Sequence, residues 1–357
     1  MSRILIAPDS FKGSATSIQV SRAIAKGWQS IRPEDELIQI PFADGGEGTL
    51  LAIETSLPTA QRIYCPEVSP DAYWLLLDES TAVVELAQVS GLTLLSQLDP
   101  MGAHTFAFGQ VLASTARDQR VKRIYCALGG SASTDAGVGA LMALGMKFLD
   151  ETGDEVSFGG EQLLRISSIS TTGAVLPPKE GVVLLVDVQS PLLGPDGAAA
   201  IYSAQKGATH NQIEELAKAL EHFAALTGYA DNPGSGAAGG TAFGLCAMWG
   251  AKIESGAAKI AELCGIDAAM DVADLVITGE GRLDHQSFQG KAVGHISQRA
   301  LTSGTPIAYC VGSIEGEFPR ACVGGVSLSK IAGSSERAIE EPEKYLIEAG
   351  VQLAQFL

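Results

Sequence analysis

Basic residues are scarce in this chain. Its 24 lysines and arginines stand against 41 aspartates and glutamates, a formal charge of −17 over 357 residues. That balance argues against a nucleic-acid binder, which needs a basic footprint, and against an anionic membrane surface. An anionic metabolite remains a possible ligand if a few local cations and backbone N–H groups receive it. Histidine is rarer still, at five residues, and no two are placed as a zinc pair would be. None of the cysteines Cys65, Cys126, Cys246, Cys264, Cys310 and Cys322 forms a Cys-x-x-Cys pair, so zinc and thioredoxin-like centres have no support. Several sit in apolar runs as small hydrophobes, which fits a reducing compartment. No apolar run approaches the roughly 18 residues of a spanning helix. The apolar part of the N-terminal segment is too short for a signal peptide and reads as a first strand. The expected location is the cytoplasm. A Walker loop is missing, as is a Gly-x-Gly-x-x-Gly turn after the first strand.

What is present is globular. Hydrophobic residues make up 46% and charged residues 18%, which excludes disorder as a class, and the length favours two domains. One phrase recurs: an apolar strand, a Gly/Asp-rich turn, a helix. Ile4 to Ala7 runs into the loop Pro8 to Ser14. A helix follows from about Thr16, with Val20, Ile24, Trp28 and Ile31 at helical spacing and Pro33 as its stop. Leu37 to Ile40 precedes Asp44-Gly45-Gly46-Glu47 and a helix from about Thr49. Tyr73 to Leu77 and Ala82 to Leu86 read as a hairpin, hence a mixed sheet. Further strands are expected at Ile124 to Leu128, Val182 to Val186, Leu275 to Thr278 and Ile307 to Val311. Helices are expected at Gln110 to Arg117, from a Thr209/Gln212 capping box to near Gly228, and from about Glu341-Pro342, with Tyr345, Leu346, Ala349 and Leu353 on one face. Lys147 to Pro178 reads only as turns. The alternation is that of parallel βαβ units.

Six strand exits carry special residues: Asp9-Ser10-Phe11-Lys12, Asp44-Gly45-Gly46-Glu47, Gly129 to Asp135, Asp187, Glu280 to Asp284, and Gly312-Ser313. Parallel strands would let these loops converge. Their carboxylates, few cations and bare backbone N–H groups suit phosphoryl transfer. Singly, each has two readings. Gly129-Gly130-Ser131 fits a phosphate loop or a tight turn with a serine cap. Asp187 fits a functional carboxylate or a turn cap. Asn232 to Gly240 fits a linker or a backbone cradle, and Lys12 and Lys291 fit site cations or solvated lysines.

Taken together the motifs resemble the bacterial glycerate kinase family, over essentially the whole chain. The likeness is carried by Ile6-Ala7-Pro8-Asp9-Ser10-Phe11-Lys12, Ala43-Asp44-Gly45-Gly46-Glu47-Gly48-Thr49, Gly129-Gly130-Ser131-Ala132 with Asp135, and Asp187-Val188 with Pro191-Leu192. Gln205-Lys206-Gly207-Ala208-Thr209, Gly236-Ala237-Ala238-Gly239-Gly240, and Ile277-Thr278-Gly279-Glu280-Gly281-Arg282 with Asp284, Gln286 and Gly290-Lys291 complete it. The resemblance implies two α/β domains, one with a Rossmann- or flavodoxin-like parallel sheet and one with a mixed sheet, and an active-site cleft between them. It implies ATP- and Mg2+-dependent phosphorylation of D-glycerate to 2-phosphoglycerate. Residues 1–100 with 292–357 are expected to form the mixed-sheet domain, and 101–291 an inserted Rossmann- or flavodoxin-like domain. The expected partner is a small-molecule substrate, without nucleic acid or membrane, and the expected state is a monomer or homodimer.

For glycerate, Ser10, Lys12, Arg282 and Lys291 are the expected binding residues, with Lys12 and Arg282 also serving the transferring phosphate. Asp187 is the first choice for the base and Asp284 the second. Asp44, Glu47 and Asp135 are expected at magnesium. Gly129, Gly130, Ser131, Gly236, Gly239 and Gly240 are expected at the nucleotide phosphates. The chain departs from the usual family pattern at Ser133-Thr134 and Ala136, at Ser190, at Ala107-Phe108-Gly109-Gln110 and at His285. These changes bear on substrate choice, and they keep two alternatives open: a kinase for another short hydroxy acid, and a non-catalytic sensor of a nucleotide or small acid.

Overall fold

The computed structural model describes residues 1–288 and 291–356. Gly290, part of a motif above, and the side chain of Gln286 lie outside the described residues. The chain divides into two compact units, a terminal unit of Met1–Asp44, Leu51–Pro58 and Ala257–Leu357, and a middle unit of Gly45–Leu50 and Thr59–Gly256.

In the terminal unit five strands form a wholly parallel sheet, in the order Gly324–Ser327, Ile307–Val311, Leu275–Thr278, Arg3–Ile6, Glu36–Gln39. Its central strands read Ile4-Leu5-Ile6, Leu275-Val276-Ile277 and Ile307 to Val311 and are buried throughout, as a parallel sheet covered on both faces requires. The helix Ser17–Ile31 starts at a capping box, with Gln19 N donating to Thr16 Oγ1 (3.3 Å) and Thr16 N to Gln19 Oε1 (2.9 Å). It buries Val20, Ile24 and Trp28 and packs on the last helix, Pro342–Phe356, which buries Tyr345, Leu346, Ala349 and Leu353.

The middle unit holds a six-stranded mixed sheet, in the order Lys252–Glu254, Val182–Leu185, Arg123–Ala127, Thr81–Glu85, Tyr73–Leu76, Gln61–Tyr64. The first four strands are parallel and the last two join antiparallel. The hairpin turns at Asp78, whose Oδ1 accepts from Ser80 N (2.7 Å) and Thr81 N (2.8 Å). The helix His210–Thr227 carries the second capping box and ends at Gly228, at φ 63°. Its Phe223 meets Phe148 and Phe243 in the core.

The structure divides the chain differently from the expectation. The wholly parallel sheet is built by the terminal segments and the mixed sheet by the middle, the reverse of 1–100 with 292–357 against 101–291. The cause is strand pairing. Leu275–Thr278 lies beside Arg3–Ile6, with Ile4 opposite Leu275 and Ile6 opposite Ile277, while the hairpin continues through Arg123–Ala127. The helix expected from Gln110 starts earlier, spanning Phe106–Arg117 without a side-chain cap. The turn-rich region contains a small sheet of Lys147–Leu149 and Ser168–Ser170.

Candidate active site

In the terminal unit the chain leaves two neighbouring strands in opposite directions. Arg3–Ile6 leads to Glu36–Gln39 on one side and Leu275–Thr278 to Ile307–Val311 on the other. Such a switch point is where open α/β sheets bind ligands. The exits are laced together. Thr278 Oγ1 donates to Ala7 O (2.8 Å), Asp9 N to Gly279 O (2.8 Å) and Phe42 N to Pro8 O (2.9 Å). A Cβ on Gly279 would lie 1.5 Å from the Cys310 carbonyl oxygen, so only glycine allows this approach.

The lacing brings Asp9, Asp44 and Glu280 to adjacent exits. Burial, then Asp44, and to a lesser degree Glu280, push the Asp9 carboxyl up to about 8; the Ser10 N–H (2.6 Å) and Lys12 oppose this. Glu280 is raised as well, by burial first and by Asp44 and Asp284, against the Ser287 hydroxyl and Lys291. Its Oε1 is buried without a hydrogen-bond partner among the described residues. Ser10 is half-buried and Lys12 exposed. Arg282 is exposed in a short strand, Arg282–Leu283, and its guanidinium lies 2.8 Å from Glu315 and 4.0 Å from Asp284. Ser287 Oγ accepts from Asp284 N (2.9 Å). Lys291 is the N-cap residue of the helix Ala292–Ser303. Ser10, Lys12, Asp44, Arg282, Asp284 and Lys291 thus belong to one set of exits. Asp9 and Glu280 join them. The sequence reading noted both as exit residues but gave them no role; their signal was their place as the first acids after two apolar strands.

In the middle unit four parallel strands end at Glu85, Ala127, Leu185 and Glu254, and Gly129, Asp187 and Ser255 follow the last three. Gly129 N donates to Gly45 O (2.8 Å), and the Glu85 carboxylate accepts from Gly48 N and Leu50 N, each at 2.9 Å. Burial pushes Glu85 up to about 7, with Glu47 adding and the backbone donors opposing. Glu47 and Gly130 are exposed and Ser131 is buried, its Oγ accepting from Ser133 N (3.1 Å). Asp187 is half-buried and accepts from Ser255 Oγ (2.8 Å).

Two expectations in this unit are corrected. Asp135 is fully buried; its Oδ2 accepts from Thr105 N, Thr105 Oγ1 and Gly139 N, and its Oδ1 from Gly137 N, at 2.8–3.2 Å. Its oxygens anchor the turn before the helix Val138–Ala143 and are engaged by four protein donors, as in a structural carboxylate. Buried Lys206 donates to Ser133 O, and burial lowers its amine to about 8 against the pull of Asp135. The Gly236 to Gly240 run is also closed. Gly236, Gly239 and Gly240 are buried, Gly236 N donates to Ser190 O (3.0 Å) and Ala136 N to Gly239 O (3.1 Å). A Cβ on Gly239, at φ 64°, would lie 2.0 Å from Ser133 O. These glycines allow backbone to pack on backbone and do not form an open cradle.

The profile of the glycerate kinase family matches residues 4–357. A glycerate kinase of Halalkalibacterium halodurans is 36% identical, over 99% of this chain and 98% of its own. Glycerate 2-kinase of Escherichia coli K12 is 35% identical, over 87% of this chain and 85% of its own. A crystal structure from Salmonella typhimurium LT2 bearing the name glycerate kinase 2 superposes with a TM-score of 0.79 at 30% identity, covering 99% of this chain and 97% of that one. The chain belongs to the glycerate kinase family. No helix among the described residues is long and apolar enough to cross a membrane.

Proposed function

We propose that the protein transfers the terminal phosphoryl group of ATP to the 2-hydroxyl of D-glycerate, with magnesium. The observation that supports this most is the switch point of the terminal unit. There Asp9, Asp44 and Glu280 repel one another and Lys12, Lys291 and Arg282 supply the cations. Such a set is costly to hold without a ligand.

The carboxylates suit magnesium. Mutual repulsion, and a Glu280 Oε1 that has no hydrogen-bond partner among the described residues, would both be relieved by a dication. No three His, Cys, Asp or Glu side chains among the described residues form a complete metal-binding group. Magnesium commonly takes one or two carboxylates and completes its shell with water and substrate phosphates. Asp44 would hold it, with Asp9 and Glu280 beside it; Glu47, in the middle unit, is a separate candidate ligand. When bound, the ion neutralises charge on the phosphate oxygens.

The chain's own residues do the rest. Lys12 and Lys291 attract the anionic groups of glycerate and phosphate, and Arg282 clamps a carboxylate once it leaves Glu315. Asp187 receives the proton of the accepting hydroxyl, with Asp284 as the competing carboxylate; a positioned base contributes about 10²–10⁴-fold. Gly129, Gly130 and Ser131 lie at a strand exit suited to nucleotide phosphates. The test is to incubate protein, D-glycerate, ATP and Mg2+ and follow products by phosphorus NMR. A 2-phosphoglycerate signal supports the proposal. A 3-phosphoglycerate signal removes the 2-position, and bound ATP without product favours another hydroxy acid or a sensor.

A further inference from the structure

We propose that Glu85 is a positioning residue for the loop Gly45–Leu50, and that its buried carboxylate sets how Glu47 is presented. This rests on the kinase reading, in which that loop meets ligand. Glu85 closes the strand Thr81–Glu85 and is 6% exposed. Each of its oxygens takes one loop amide, Oε1 from Gly48 and Oε2 from Leu50, both at 2.9 Å. Among the described residues the charged group that acts on it most is Glu47, which repels. A buried carboxylate beside a like charge is expensive, so a cheaper side chain would be expected unless both amides must be held. Glutamine would not serve. It has one acceptor oxygen and would turn its NH2 group toward the second amide.

The rest of the loop is fixed independently. Gly129 N donates to Gly45 O (2.8 Å), and Thr49 Oγ1 donates to Gly46 O (2.7 Å). With Gly45 tied to one strand exit and Gly48 and Leu50 to the next, Glu47 stands exposed between the ties. Glu85 itself is buried beneath them, so it acts through the loop.

The test uses the full chain with Glu85→Gln. We expect kcat for glycerate phosphorylation to fall about tenfold or more, since small misplacements in an active site cost up to ~10²-fold. Amide exchange over residues 45–50 should accelerate at least about tenfold, while Arg123–Ala127 and Val182–Leu185 keep wild-type protection. If kcat and loop exchange both match wild type, or if only the melting temperature moves, the proposal is overturned. If wild-type protein phosphorylates nothing, the kinase reading fails by itself, and the exchange comparison still decides whether Glu85 fixes the loop. Should Glu85→Gln not fold, Glu85→Asp, which keeps the charge but is too short to hold both amides, is measured instead with the same expected losses.

Discussion

Asp44 and Asp135 look alike in sequence. Each stands in a turn after a parallel strand, close to glycines, and both were candidates for magnesium. Asp135 is fully buried and surrounded by hydrogen-bond donors from Thr105, Gly137 and Gly139. Asp44 is half-buried and faces other carboxylates, those of Asp9 and Glu280. The same contrast runs through the two units. In the middle unit Glu85 and Asp135 hold backbone in place. In the terminal unit Asp9 and Glu280 sit beside like charge with few donors. A carboxylate surrounded by amides is stabilised by them, and one surrounded by carboxylates would be stabilised by a cation.

The largest test of that contrast is catalytic. Asp44→Asn should lower kcat by about 10²–10³-fold and raise the Mg2+ concentration needed for half-maximal rate, since metal stabilisation of transferring phosphate is worth several kcal/mol. Its melting temperature should stay near wild type. Steady-state kinetics across Mg2+ concentrations, with a thermal melt, measure both. A variant with unchanged rate would remove the terminal carboxylates from the chemistry.

Asp135→Asn should do the opposite. Asparagine offers one oxygen where the turn presents four hydrogen-bond donors and aims an NH2 group at some of them. The expected cost is about 2–4 kcal/mol of stability, read by denaturant unfolding, with the Mg2+ requirement of the surviving folded protein unchanged. A shifted Mg2+ requirement at wild-type stability would return Asp135 to the metal.

A smaller effect separates the units by pH. Asp9 titrates near 8 in the fold against an ordinary 3.8. A raised carboxyl favours the fold when protonated, so its stabilising contribution is full in acid and is lost as pH climbs through about 8. Glu85, near 7 against 4.5, adds a loss of the same sign over a lower range. The contribution of these two groups to the melting temperature should therefore fall from about pH 4 to about pH 8 and level off above it. Asp9→Asn should flatten the upper part of that slope and raise the melting temperature at pH 8.5. Millimolar Mg2+ should flatten it in wild type too, if the ion sits there. A slope untouched by Asp9→Asn would assign it to other groups.

Local features of the fold were legible in the sequence because local chemistry decides them. The Thr209/Gln212 capping box forms, the expected hairpin turns at Asp78, and Tyr345, Leu346, Ala349 and Leu353 bury one face of the last helix. The exits of the candidate site were also visible, since glycines and acids after apolar strands are a short-range pattern. Unit membership was not, because it depends on pairings such as Thr278 with Ala7, 271 positions apart. The roles of the acids were hidden for the same reason: Thr105 donates to Asp135 from 30 positions away and Gly48 to Glu85 from 37. The Gly236 to Gly240 run was misread because an open cradle and a tight backbone crossing both require glycine. Only the neighbour, here Ser133 O, tells them apart.

The smallest expected effect concerns Arg282, an exposed member of the proposed site. Its side chain is 67% exposed and its partner Glu315 68% exposed, so their 2.8 Å contact is screened and contributes little to folding. It does compete with an incoming carboxylate for the same guanidinium. Glu315→Gln should leave the melting temperature unchanged and lower the KM for glycerate by about twofold to threefold, because the fork that would clamp substrate is no longer occupied by a charged neighbour. Arg282→Lys should raise KM, since an ammonium cannot hold a carboxylate in two parallel bonds. An unchanged KM in both variants would make Arg282 a surface ion pair and leave Lys12 and Lys291 to hold the substrate alone.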